Sequence, residues 1–98
     1  MKLIEKLKTD ELTYIKVKFK NFINLQNFLF NLGYMWGDET KDLANYKRSS
    51  YYHDFEKYNY IFIAVNFNYI KRIIFRPFDS SINYIIFNTR IDKIKKLL

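Results

Sequence analysis

The chain of 98 residues contains no cysteine, one proline, Pro77, and two glycines, Gly33 and Gly37. Without thiols there is neither a disulfide framework nor a thiolate metal site, so the fold must stand on packing, and a reducing setting is expected. With so few glycines, neither in a Gly-rich loop, a P-loop and a dinucleotide fingerprint are both excluded. Long apolar runs are lacking too: residues 60–65 and 82–87 are too short to cross a bilayer, and the N-terminus shows no signal-peptide pattern. These absences predict a cytoplasmic protein with no membrane partner.

Aromatic residues and lysine are plentiful. Seventeen Lys and Arg against ten Asp and Glu give a net charge of +7, which ordinarily points to an anionic partner, nucleic acid first. Lys, Ile, Asn, Tyr and Phe, whose codons are rich in A and T, make up 55 of the 98 residues, so coding bias accounts for part of that charge. Its distribution is uneven: residues 1–36 carry +3, 37–57 carry −1 and 58–98 carry +5. The middle segment is a separate, mixed-charge feature.

Hydrophobic periodicity divides the chain into elements of one domain, residues 1–98. A short amphipathic pattern around Leu3, Ile4 and Leu7 precedes strict alternation in TYIKVKFK, where Ile15, Val17 and Phe19 face one way and Tyr14, Lys16, Lys18 and Lys20 the other. Asn21 is placed to cap a helix carrying Phe22, Leu25, Phe28, Leu29 and Leu32 on its apolar stripe, and Gly33 to end it in the left-handed conformation. YMW suggests a brief second strand. Residues 37–57 show no clean period and read as a polar, Tyr-rich insertion, either a functional loop or one hiding a helical turn. YIFIAVNF and KRIIFRPF then form a hairpin about Asn68 and Tyr69, INYIIFN a further strand, and Thr89 opens a terminal helix. The expected fold is α+β, in the order β-α-β-β-β-β-α. An antiparallel sheet of four to five strands would carry its helices mainly on one face. It matches an RNA-recognition fold only in its first half, and KYNYIFIAVNF lacks the glycine of the RNP1 pattern.

Catalytic chemistry finds little support. His53, Asp54 and Glu56 could hold a metal or form an acid–base pair, and Asp38, Glu39 and Asp42 a Mg²⁺ or Ca²⁺ ion, but both groups read more simply as solvated loop charge. Ser49 and Ser50 lack a nucleophile context. The expectation is a non-enzyme that needs no cofactor or metal.

Two surfaces are better candidates. If the first strand pairs with YIFIAVNF, one sheet face displays Lys16, Lys18 and Lys20 beside Tyr60, Phe62, Arg72, Arg76 and Tyr84, a lysine–aromatic mixture suited to single-stranded nucleic acid or a nucleotide. The plainer account has a terminal helix covering the aromatics while the lysines guard an edge strand. The insertion combines Tyr46, Lys47, Arg48, Tyr51, Tyr52, His53, Phe55 and Tyr58, a Tyr and Arg mixture typical of interface hot spots. Its aromatics either fold back as a lid or meet a partner.

At YIKVKF, LQNFLFNLGYMW and YIFIAVNF the chain resembles a group of small bacteriophage proteins that share a strand, a helix ending in L-G-Y-x-W and a later hairpin. The matching positions are Leu32, Gly33, Tyr34 and Trp36, with Gly37 in the following place, and the likeness covers about half the chain. It carries no catalytic residue, and the Tyr-rich insertion departs from the shared pattern. The resemblance implies a phage accessory protein of the anti-CRISPR-like kind. Such an inhibitor would act in the host cytoplasm by binding a host defence protein or ribonucleoprotein complex. Lys16, Lys18, Arg48, Tyr51, Tyr52, Arg72 and Arg76 are the residues expected to meet that partner, with nucleic-acid or nucleotide binding as the alternative.

Overall fold

Alternation of apolar residues places the first strand, β1 (Thr13–Val17), inside a five-stranded sheet in the computed structural model, which describes residues 3–9 and 11–88. β1 pairs antiparallel with β3 (Ile61–Val65), so that Ile15 lies opposite Ile63 and Val17 opposite Ile61. β3 pairs antiparallel in turn with β4 (Arg72–Phe75), through a turn in which Asn66, Asn68 and Tyr69 all have positive φ. The two outer strands are short: β2 (Met35–Trp36) lies beside β4, and β5 (Ile85–Ile86) beside β1. The order across the sheet is β2-β4-β3-β1-β5.

An antiparallel sheet was the expectation, and it holds only for the inner ladders, because β1–β5 and β2–β4 are both parallel. Residues 76–84 do not make a hairpin. Pro77 offers no N–H to a ladder, and Asp79 nucleates a turn by accepting from the N–H and hydroxyl of Ser81 at 2.9 and 2.7 Å. The chain therefore crosses one face of the sheet, past β3, and descends beside β1 in the same direction. Parallel neighbours need such a crossover, and a tight turn cannot supply it.

Helix α2 (Phe22–Asn31) makes the other crossover, between β1 and β2, and buries Phe22, Leu25, Phe28 and Leu29 against the sheet. Its start differs from expectation: β1 ends at Val17, residues Phe19–Asn21 form a 3₁₀ turn, and the Asn21 side chain makes no capping bond. Its end agrees with expectation. Gly33 has φ +93°, its N–H donates to the Phe30 carbonyl, and the Tyr34 N–H donates to the Leu29 carbonyl, the paired bonds of a Schellman cap. The N-terminal pattern forms α1 (Leu3–Leu7), with Leu3 and Leu7 in the same core.

The insertion adds a helix to those expected mainly on one face. Residues 37–58 contain a 3₁₀ turn, Tyr46–Arg48, and a third helix, α3 (Tyr52–Tyr58), which packs across the end of the sheet. The Phe55 ring lies 5.8 Å from that of Phe75 and 6.1 Å from that of Phe62, residues on opposite sheet faces. β3 is consequently buried on both sides. The terminal helix expected from Thr89 lies outside the described residues.

Candidate partner-binding surface

Gln26 explains how a segment without hydrophobic period becomes ordered. It occupies the apolar stripe of α2, four residues after Phe22 and three before Leu29, and is only 1% exposed. A polar side chain buried there must find partners. Its Oε1 accepts from the Ala44 N–H at 2.7 Å and from the Trp36 indole N–H at 3.2 Å, while its Nε2 donates to the Ala44 carbonyl at 3.2 Å. The primary amide thus bonds both backbone groups of Ala44 as a neighbouring strand would, and fixes Trp36 with its remaining lone pair. Asp38 steadies the start of the segment by accepting from the N–H and hydroxyl of Thr40, and the Trp36 N–H donates to the Thr40 carbonyl at 2.8 Å.

Aromatic contacts continue this order outward. Phe19 and Tyr46 stack at 4.9 Å with an interplanar angle of 1°, Tyr46 meets Tyr52 at 6.0 Å, and Tyr52 meets His53 at 6.4 Å. The Asn45 side chain starts the 3₁₀ turn by accepting from the Lys47 N–H. The Tyr52 phenol is pushed above its ordinary value by partial burial, then by the charge and hydrogen bond of Glu56. Arg48 is exposed at the end of this turn, whereas Tyr51 packs against the hydrophobic core. The neighbouring residues in sequence, Tyr51 and Tyr52, therefore have different surroundings.

The basic sheet face is divided. Lys16 and Lys18 place their ammonium groups 4.7 and 4.6 Å from the centroid of the Tyr60 ring, so a single aromatic serves both cations. Phe62, counted with this face from the sequence, is buried under Phe78 at 5.3 Å and Tyr84 at 5.0 Å. Among the described residues the cover is the crossover together with α3, while the C-terminal helix expected as one possible cover lies outside them; the Asp54 carboxylate joins crossover and α3 by accepting from the Phe78 N–H at 3.0 Å. Arg76 bonds through its backbone to Phe62, while Arg72 stands four residues away, roughly 13 Å along the strand, in an ion pair with Glu39 at 3.4 Å.

The seven expected partner residues accordingly fall in separate places: Lys16 and Lys18 about Tyr60, Arg48 and Tyr52 on the insertion, Tyr51 against the core, Arg72 at the start of β4 and Arg76 just past its end. The acidic groups are likewise dispersed into structural bonds, Asp38 to Thr40, Glu39 to Arg72 and Asp54 to Phe78. Among the described residues no group of three His, Asp or Glu side chains could hold a metal ion, and no helix is long and apolar enough to cross a membrane. Sequence reasoning passed over Gln26, although a lone amide inside an apolar helical stripe is itself a readable signal. Compared with protein-family models, curated proteins and solved structures, the chain matches none of them.

Proposed function

We propose that this chain is a non-enzymatic binding protein whose partner is a protein or ribonucleoprotein, met on the face of the insertion that carries Arg48 and Tyr52. The supporting observation is the clamp of Gln26 on Ala44 and Trp36, continued by the Phe19–Tyr46–Tyr52 ring contacts. A pre-ordered segment loses less conformational entropy on association, and Arg and Tyr are residue types that interface hot spots favour. The anti-defence role implied by the phage resemblance is the biological setting we propose for this binding. Tagged protein should retain a discrete complex from the lysate of a low-GC bacterial host, and Arg48→Ala with Tyr52→Ala should release it. Capture that is absent, or indifferent to both substitutions, would overturn the reading. Tyr51 is unsuited to the test, because truncating a ring packed on the core perturbs the fold as well.

A second reading is favoured by one observation, the two ammonium groups about Tyr60. If this face binds single-stranded nucleic acid or a nucleotide, affinity should fall steeply with salt, and Lys16→Ala and Lys18→Ala should each flatten the slope. Flat salt dependence in the unmodified protein would eliminate it.

A further inference from the structure

Among the described residues, no strand pairs with the edge of the sheet beyond the end of β2. The Asn66 N–H donates to the Arg72 carbonyl and the Arg76 N–H to the Phe62 carbonyl, so Arg72, Ile74 and Arg76 direct their backbone groups toward β3. Ile73 and Phe75 must direct theirs the other way. β2 takes up Ile73, whose carbonyl accepts from the Gly37 N–H at 3.0 Å, and then the chain turns away through Asp38 and Glu39. Among the described residues, neither the N–H nor the C=O of Phe75 has a hydrogen-bond partner.

Beside this edge lie two adjoining hollows of about 490 and 440 Å³, both lined by Leu43, Ala44 and Phe75. The far wall does not pair with Phe75: the Ala44 N–H and C=O bond to Gln26 instead. The ends of the hollows differ in charge: Asp38 and Asp42 line the one nearer β2, and Arg48 the other. Pro77 limits the edge beyond Phe75, since it has no N–H to extend a ladder.

We propose that this edge receives the C-terminal tail of a partner protein as an extended segment parallel to β4, with a basic residue toward Asp38 and Asp42 and its terminal carboxylate at Arg48. Strand addition to an exposed edge supplies backbone bonds, and the walls of the groove select alternate side chains. Parallel pairing gives the Phe75 N–H a carbonyl from one tail residue and the Phe75 carbonyl an N–H from the residue two further on. The opposite direction would set the carboxylate against two aspartates and the basic residue against Arg48. The short edge and Pro77 favour a chain that ends there over one that passes through.

This inference deepens the protein-binding reading and rests on it, yet the two can fail separately. The probe is a bead library of random hexapeptides with free C-termini, screened against the whole chain. Enriched peptides should carry Lys or Arg near the start and apolar residues at alternate positions, and should lose about tenfold or more in affinity when amidated or when offered to Arg48→Glu. N-methylation of the residue that donates to Phe75 should abolish binding, while methylation of the residue before it should not. No enrichment over the Arg48→Glu control, equal binding of amides, or indifference to the position of the methyl group would each overturn the proposal. Lysate capture without peptide enrichment would leave the protein-binding reading standing and remove the groove. Peptide enrichment without capture would support the groove as a tail site and overturn the insertion face as the surface that retains a complex from that lysate.

Discussion

Replacing Gln26 by Leu keeps the side chain's approximate volume and removes its hydrogen bonding, which isolates the clamp from simple cavity formation. Three groups then lose their partner: the Trp36 indole N–H, the Ala44 N–H and the Ala44 carbonyl. A buried polar group left unpaired costs about 1–3 kcal/mol. Ala44 is half-buried and can swing toward water, so its share is reduced, whereas Trp36 is buried and keeps its full penalty. The expected loss is about 2–4 kcal/mol, a large part of a small domain's stability. With a urea dependence of about 1–3 kcal/mol per molar, the midpoint should fall by about 0.7–4 M. Emission from Trp36, the only tryptophan, follows unfolding directly and should also report the lost indole bond in the folded state. Hydrogen exchange at the Ala44 amide should accelerate in parallel. A midpoint within error of the parent, with unchanged Trp36 emission and Ala44 protection, would refute the clamp. Gln26→Glu supplies a sign: the new carboxylate is penalised first by burial and then by the facing Ala44 carbonyl, so its folded pKa lies above its unfolded one. The protonated form can still donate to Ala44. The variant should therefore be most stable below the unfolded pKa of about 4.3 and lose stability as pH rises through the folded value.

The two glycines should respond unequally to alanine. At Gly33 the added methyl meets nothing closer than the Lys71 side chain at 3.9 Å, but φ +93° is unfavourable, so the cost should be about 1 kcal/mol or more by denaturant titration. Gly37→Ala meets Ile74 at 3.4 Å without a positive φ and should cost less than half as much; the reverse order would contradict the assigned cap. Asp54→Ala should cost about 1 kcal/mol and speed exchange at the Phe78 amide, since it removes that group's acceptor. Bonds from the Ser81 hydroxyl and then its N–H hold the Asp79 carboxyl below its ordinary value, and Ser81→Ala should move its NMR titration upward. The depressed value means that the turn's contribution is present above the unfolded pKa and is lost as pH falls through the folded one.

Local patterns carried part of the architecture. Alternation from Thr13, the stripe of Phe22, Leu25 and Leu29, the left-handed Gly33 and the hairpin of β3 with β4 were all legible, because each depends on neighbours within a few residues. Chemistry at the candidate surface was legible as composition: Arg and Tyr in the insertion, lysines beside aromatics on the sheet. That Tyr51 packs on the core while Tyr52 meets Tyr46 and His53 was not, since residues 46–58 have no period long enough to orient them.

Sequence by itself determined the α+β class, a fold held without covalent staples, and a helix stop at Gly33. Tertiary structure alone decided that β5 lies parallel to β1, that α3 and the crossover cover Phe62, and that Gln26 holds Ala44 in place of a strand. Each of those outcomes joins groups far apart in the chain, so its energy depends on the whole packed arrangement and leaves no mark in a short window of residues.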